Sequence, residues 1–190
     1  MLCILADPTA GFEQLREPSR GPLARVLAAA RPHGVLPTVW RRFQESGLRP
    51  TSTAAEQPSS QAPLEEAKHH VTLMTGQSML LAHHGAMVMD AFHAANIDAV
   101  MVKGPVFARH LYDRESDRPF TDIDFLVAPG HLNRANGVIE ALGYEESRAE
   151  GHDPETYGEF KWLLADNDAV MIEVQTNLAH APKLRHGISF

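Results

Sequence analysis

Two aspartates at the start of an apolar stretch, Asp122 and Asp124, constrain the fold of this chain more than any other feature. The residues that follow them are apolar, which predicts a buried β-strand over 120–127. Because side chains alternate along a strand, both carboxylates lie on one face while Ile123 and Phe125 lie on the other. Two like charges about 4 Å apart repel by roughly 4 kcal/mol at an effective dielectric of 20, so water, a proton or a divalent cation must offset them.

Glu173 is the candidate for a third carboxylate at the same site. It interrupts an apolar strand, and its neighbours Ile172 and Val174 point the opposite way. A buried glutamate without a partner is unfavourable, so Glu173 needs a cation or a hydrogen-bond donor. Oxygen ligands on a rigid strand suit Mg²⁺ or Mn²⁺ better than Zn²⁺, which favours His and Cys. The sequence therefore predicts a metal site formed by the two aspartates and Glu173.

Structural explanations of the same residues stay open at this point. An aspartate pair at the start of a strand is often a cap or a surface feature. Glu173 can pair with Lys161 across a hairpin instead of binding a metal. Lys103 can be a surface charge and Gly104 a simple turn. The combination of these residues favours a catalytic site over each explanation taken alone.

The chain before residue 64 divides by composition into two parts. Apolar residues at helical spacing predict helices between residues 22 and 47, with a break at 31–34. Residues 49–63 are rich in Ser, Thr, Pro, Gln and Ala and predict a flexible linker. We therefore expect an N-terminal helical region over 1–48, the linker over 49–63, and a core over 64–190.

The core alternates between helical and strand periodicity. Apolar residues at steps of three and four predict one long helix from Leu64 to about Asn96. The predicted strands lie at 97–102, 120–127 and 144–147, with a hairpin formed by 160–164 and 169–174, and the predicted helices at 105–112 and 129–142. This order predicts an α/β (α+β) fold in which helices flank a small mixed β-sheet.

Composition limits which partners we expect the protein to bind and which cell compartment we expect it to occupy. A formal charge of -7 disfavours contact with long nucleic acids, which is made by clusters of Lys and Arg. The apolar runs fall far short of the ~20 residues of a membrane helix, and the N-terminus has no recognisable targeting signal. The single cysteine, Cys3, cannot form an internal disulfide. We expect a cytoplasmic protein with no membrane partner.

Four segments of the core occur in a distinctive order and spacing. They are VKGP at 102–105, LY at 111–112, RPFTDIDFLV at 118–127 and ALGY at 141–144. Together they resemble the uncharacterised nucleotidyltransferase family of the DNA polymerase β-like superfamily. Residues 29–37 are similar to the helical region that precedes the catalytic core in that family, and 172–174 to its later acidic strand.

The resemblance implies a metal-dependent transfer of a nucleoside monophosphate. Asp122 and Asp124 would bind one or two Mg²⁺ or Mn²⁺ ions, with Glu173 as the third carboxylate. A nucleoside triphosphate would donate its nucleotide to an acceptor hydroxyl, and pyrophosphate would leave. Gly104 would let the backbone approach the phosphates, while Lys103 or Arg118 would offset phosphate charge. The net negative charge of the chain favours a small molecule or a protein as acceptor over long nucleic acid.

The chain departs from the family pattern at three places. Pro105 follows Gly104 where the superfamily usually has Gly-Ser or Gly-Gly, and Gln175 stands where the family often has His. The chain ends at Phe190, where relatives tend to continue, which fits a C-terminally shortened member. Two alternatives therefore stay open: a catalytically inactive interaction module in a toxin–antitoxin or biosynthetic context, and a glycosyltransferase with an Asp-x-Asp metal site. The mostly helical segment before Asp122 disfavours the glycosyltransferase.

Overall fold

The computed structural model describes residues 20–47, 62–147 and 158–178. The helices are α1 (Arg20–Ala30), α2 (Leu36–Glu45), α3 (Ala62–Ala94), α4 (Gly104–Leu111) and α5 (Leu132–Ala141), with short 3₁₀ helices at Glu115–Asp117 and Pro129–His131. The strands are β1 (Ala99–Val102), β2 (Ile123–Val127), β3 (Tyr144–Glu146), β4 (Glu159–Leu164) and β5 (Asn167–Gln175). The predicted mixture of helices and strands is confirmed.

The five strands form one mixed sheet in the order β1-β2-β5-β4-β3. Strands β2 and β5 run parallel, whereas the other three neighbouring pairs are antiparallel. The predicted hairpin is the β4–β5 pair, which a short turn at residues 165–166 connects. The sheet therefore places β2, which carries Asp124 and begins directly after Asp122, beside β5, which carries Glu173.

The described residues form two compact units. The helical unit contains residues 20–47, 62–76 and 112–119, and the sheet unit contains residues 77–111, 120–147 and 158–178. The predicted linker at 49–63 lies almost wholly outside the described residues, so the predicted three-part division stays a prediction. None of the described helices is long and apolar enough to span a membrane.

The sheet unit is built around the apolar face of its sheet. Side chains of α3 at helical spacing, Leu81, Val88 and Phe92, are fully buried in the same cluster as Ile123 and Ile172. Gly85 lets the helix approach closely, because a Cβ at that position would lie 2.9 Å from Met101 Cε. This packing fixes one face of the sheet in the core and leaves the opposite face to carry charge.

The helical unit contains a buried ion pair. The Arg41 guanidinium donates through Nε to Asp117 Oδ1 at 2.9 Å and through Nη2 to Oδ2 at 2.5 Å. Thr38 Oγ1 donates to the Asp117 carbonyl at 3.1 Å, and Arg41 Nη1 bonds Glu45 at 2.7 Å. These hydrogen bonds raise the pKa of Arg41. They attach the segment 112–119 to α2, although it is distant in sequence.

We expect Arg41→Met to lower the free energy of unfolding by about 3 kcal/mol, because it leaves the buried Asp117 carboxylate without its cation. Chemical denaturation monitored by circular dichroism measures the change. Arg25→Met, an exposed position on α1, is the matched control and should change stability by less than about 0.5 kcal/mol. Equal effects of the two variants would contradict a stabilising role for the Arg41–Asp117 pair.

Candidate active site

Three charged residues form a row across neighbouring strands of the sheet unit. Asp124 on β2 is paired in register with Glu173 on β5, and Glu173 is paired in register with Lys161 on β4. Residues paired directly across strands share a face of the sheet, so these three side chains are neighbours. Asp124 and Glu173 are buried, at 2% and 7% exposure. The fold thus brings carboxylates from separated segments to one face.

Each buried carboxylate of the row accepts a hydrogen bond from a lysine. Lys103 Nζ donates to Asp124 Oδ1 at 2.8 Å, and Lys161 Nζ donates to Glu173 Oε1 at 2.6 Å. Lys161 Nζ also lies 3.0 Å from Glu159 Oε1. The pairing of Glu173 with Lys161 across the hairpin, one of the structural explanations open from the sequence, is therefore observed.

Asp122 lies just before β2 and is half-buried. Burial and the nearby Asp124 charge raise the pKa of Asp122, while Lys103 and Lys161 act in the opposite direction and Glu159 adds to the rise. These interactions show that Asp122 belongs to the same electrostatic environment. We call the carboxylates of Asp122, Asp124, Glu159 and Glu173 the acid cluster. They face two ammonium groups, which leaves a formal excess of two negative charges.

Burial and hydrogen bonds shift the pKa values of the charged residues at the acid cluster. Burial raises the pKa of Glu173, and the hydrogen bond from Lys161 counteracts part of that rise. The hydrogen bond to Asp124 is the main cause of a raised pKa of Lys103, with smaller contributions from Glu173 and Asp122. Both lysines therefore stay protonated at neutral pH, and they partly neutralise the acid cluster.

The donor chemistry of the acid cluster suits a hard divalent cation. Its members offer only carboxylate oxygens, which Mg²⁺ and Mn²⁺ prefer, and their excess negative charge matches one such ion. Within the part of the chain that the structure describes, no three His, Cys, Asp or Glu side chains are already grouped as metal ligands. Binding a metal would therefore require oxygens that Lys103 and Lys161 contact to turn toward the ion. Metal ligation by Asp122, Asp124 and Glu173 stays a prediction.

The turn between β1 and α4 brings Lys103 and the start of a helix to the aspartates. Lys103 has a φ of 56°, in the left-handed region that residues with a side chain adopt only at a cost in free energy. Gly104 has a φ of 30°. Gly104 is buried, and a Cβ there would lie 3.4 Å from the Asp122 carbonyl oxygen. The helix then continues through Pro105. This geometry directs the Lys103 side chain to Asp124 and leaves the Gly104 backbone, which has no side chain, beside the Asp122 carbonyl.

Arg118, the other predicted phosphate-binding residue, belongs to the helical unit. It lies at the C-terminal end of the 3₁₀ helix Glu115–Asp117, and its backbone N–H donates to the Glu115 carbonyl. Arg118 also takes part in a further interaction. Its predicted role in offsetting phosphate charge stays a prediction.

Neither Glu159 nor Gln175 was predicted from the sequence as part of the site. Glu159 lies one residue before the predicted strand and is paired in register with Gln175, on the face that carries Glu173. Gln175 is 1% exposed, and both its amide oxygen and nitrogen lack a hydrogen-bond partner among the described residues. The alternation of Glu159, Phe160 and Lys161 is the signal that indicates a polar strand face.

Comparison with known proteins gives one family. The model of a family described as uncharacterised nucleotidyltransferase matches residues 22–188, which is most of the chain. No curated protein matches the chain. The match includes every residue of the acid cluster and the Lys103–Gly104 turn.

We expect Asp122→Asn to stabilise the metal-free protein at neutral pH. The folded-state pKa of Asp122 is raised, so the ionised carboxylate destabilises the fold above that pKa, and the effect disappears as the pH falls toward the unfolded value of 3.8. Urea denaturation from pH 4 to pH 8 in a chelating buffer measures this difference. Asp90→Asn, at an exposed position of α3, is the control and should show no such trend. A gain that grows toward low pH would contradict the assignment.

We expect Gly104→Ala to lower the free energy of unfolding by about 1–2 kcal/mol, because the left-handed backbone and the nearby Asp122 carbonyl oppose a side chain. Gly137→Ala is the matched control. Gly137 lies in α5, where an added Cβ meets nothing within 4 Å, so the same change should raise stability by about 0.5–1 kcal/mol. Thermal or chemical denaturation measures both, and effects of the same sign would contradict the geometry at Gly104.

Proposed function

The chain belongs to the uncharacterised nucleotidyltransferase family, and on this premise we propose that it moves a nucleoside monophosphate from a nucleoside triphosphate to an acceptor hydroxyl. Nucleotidyl transfer as the general function follows from the family. The observation that supports the finer proposal is the row on one sheet face, where the buried Asp124 and Glu173 are paired in register. Charged groups buried side by side cost stability, and catalytic sites are where such arrangements concentrate.

Asp122, Asp124 and Glu173 would hold the Mg²⁺ or Mn²⁺ ion in this proposal. When bound, the cation supplies neutralisation of the triphosphate and activation of the acceptor hydroxyl. The support is chemical: the three side chains offer only oxygen ligands, and the acid cluster carries excess negative charge even with its two lysines. The three carboxylates would bind the cation, and strands β2 and β5 keep Asp124 and Glu173 in register.

The transfer needs positioning more than covalent chemistry from the protein. The acceptor hydroxyl loses its proton, its oxygen bonds to the α-phosphorus, and the bond from that phosphorus to the bridging oxygen breaks to release pyrophosphate. Lys103 offsets phosphate charge, because its ammonium already lies at the acid cluster. The backbone at Gly104 lets a phosphate approach the start of α4.

The acceptor is a small molecule or a protein under this proposal. The formal charge of -7 disfavours a long nucleic acid, whose backbone requires many basic contacts. The single cysteine, Cys3, favours the cytoplasm, where nucleoside triphosphates are available. Membership of the family weighs against the glycosyltransferase alternative.

A second candidate function is a catalytically inactive interaction module with the same fold. The observation that favours it is that Asp124 and Glu173 already have lysine partners, so residues of the chain itself compensate part of their charge. Such a module would keep the fold of the family but would not transfer a nucleotide.

We expect Mn²⁺ to raise the melting temperature of the wild type, and the double variant Asp122→Asn with Asp124→Asn to lose this shift, because the shared charge that attracts the ion is removed. Differential scanning fluorimetry with and without Mn²⁺ measures both.

Glu173→Gln should reduce nucleotide transfer about 100-fold or more, measured with labelled nucleoside triphosphates and a cell extract as the source of acceptors. Glu145→Gln, at an exposed position of β3, is the matched control.

The outcomes separate the two candidate functions. A Mn²⁺ shift that survives in the double variant would remove the metal site from the proposal. Binding of Mn²⁺ by the wild type, with no transfer of any of the four nucleotides, would favour the interaction module. Full transfer by Glu173→Gln would mean that another carboxylate, with Glu159 as the nearest candidate, is the third ligand.

A further inference from the structure

Lys161 is the lysine of the acid cluster with two carboxylate partners. Its Nζ lies 2.6 Å from Glu173 Oε1 and 3.0 Å from Glu159 Oε1, and these residues lie on β5 and β4 respectively. Its side chain is 29% exposed, so the ammonium group is held by the protein while part of the side chain still reaches solvent. No sequence signal assigns Lys161 more than a structural role.

The double contact matters because Glu173 is the oxygen ligand that a divalent cation needs in the proposed function. An ammonium group and a cation cannot both use the same carboxylate oxygen at full strength, so the two compete for Glu173. Glu159 gives Lys161 an alternative partner on its own strand, two residues away on the same face. Lys161 can therefore release Glu173 and remain charged, compensated and in place.

We propose that Lys161 is a polyphosphate-binding residue of the site, and that Glu173 is exchanged between the Lys161 ammonium and the divalent cation. In the structure the Lys161 ammonium contacts Glu173. When the cation takes Glu173, Lys161 remains on Glu159 and directs an N–H donor to the phosphates that the cation brings. The inference rests on the proposed function, because it concerns the same cation and the same triphosphate.

The electrostatics of the row distinguish this role from that of a cross-strand ion pair. A purely structural pair would bury its charges against each other and would have no effect on a ligand beyond fold stability. Lys161 Nζ instead contacts two carboxylates on neighbouring strands, and its side chain is 29% exposed. A positive charge held in this position weakens the binding of a cation and strengthens the binding of a polyanion at the cluster.

The test uses two ligands measured by isothermal titration calorimetry on the full chain: Mn²⁺ alone, and inorganic tripolyphosphate in the presence of excess Mn²⁺. Lys161→Met should bind Mn²⁺ about fivefold more tightly and tripolyphosphate about tenfold more weakly, because a charged donor is lost. Lys161→Arg keeps the charge and should stay within about threefold of the wild type for both. Lys68→Met, at an exposed position of α3, is the control for loss of a lysine and should change neither affinity.

Glu159→Gln tests the exchange even if Lys161→Met does not fold. It removes the alternative partner, so Lys161 should hold Glu173 more firmly and the affinity for Mn²⁺ should fall about threefold to tenfold. Unchanged tripolyphosphate affinity in Lys161→Met, or unchanged Mn²⁺ affinity in Glu159→Gln, would overturn the inference. The proposed function would survive either of these results, provided that the wild type binds Mn²⁺ and the double variant Asp122→Asn with Asp124→Asn does not. A wild type that binds neither ligand would overturn both.

Discussion

The need to compensate buried negative charge governs the polar face of the sheet unit. Asp124 and Glu173 are almost fully buried, and an uncompensated carboxylate in that position costs several kcal/mol. Lys103 and Lys161 supply the compensation from opposite sides of the row. The left-handed backbone at Lys103 is tolerated in this context, since it delivers an ammonium group to Asp124. Charge compensation thus explains both the strained turn and the position of the hairpin lysine.

The apolar face of the same strands explains why the carboxylates meet. Ile123, Phe125, Ile172 and Val174 are fully buried in one cluster with the side chains of α3. A slip of one residue between β2 and β5 would turn these side chains to the charged face and the acids into the core. The hydrophobic pattern therefore sets the register that pairs Asp124 with Glu173. The geometry of the candidate site is a consequence of core packing.

Periodicity was sufficient to predict most elements, because helices and strands of this chain bury one face each. The strands at 97–102, 120–127 and 160–164 and the long helix after residue 64 all have counterparts in the structure. Two of the three predicted ligands, Asp124 and Glu173, fall on one sheet face for the same reason. The pair between Arg41 and Asp117 was not predictable, since it joins residues 76 positions apart and depends on tertiary packing. Glu159 is the first residue of β4, and periodicity is weakest at the ends of strands. Its place in the acid cluster was therefore not predicted.

The acid cluster bears on both the stability of the fold and the proposed metal-dependent function. Lys103 and Lys161 offset two of its four negative charges, so part of the compensation comes from the chain itself. A divalent cation carries twice the charge of an ammonium group and accepts about six oxygen ligands, whereas an ammonium group has three donors. The proposed function therefore requires the cation to compete with the two lysines for the oxygens of Asp124 and Glu173.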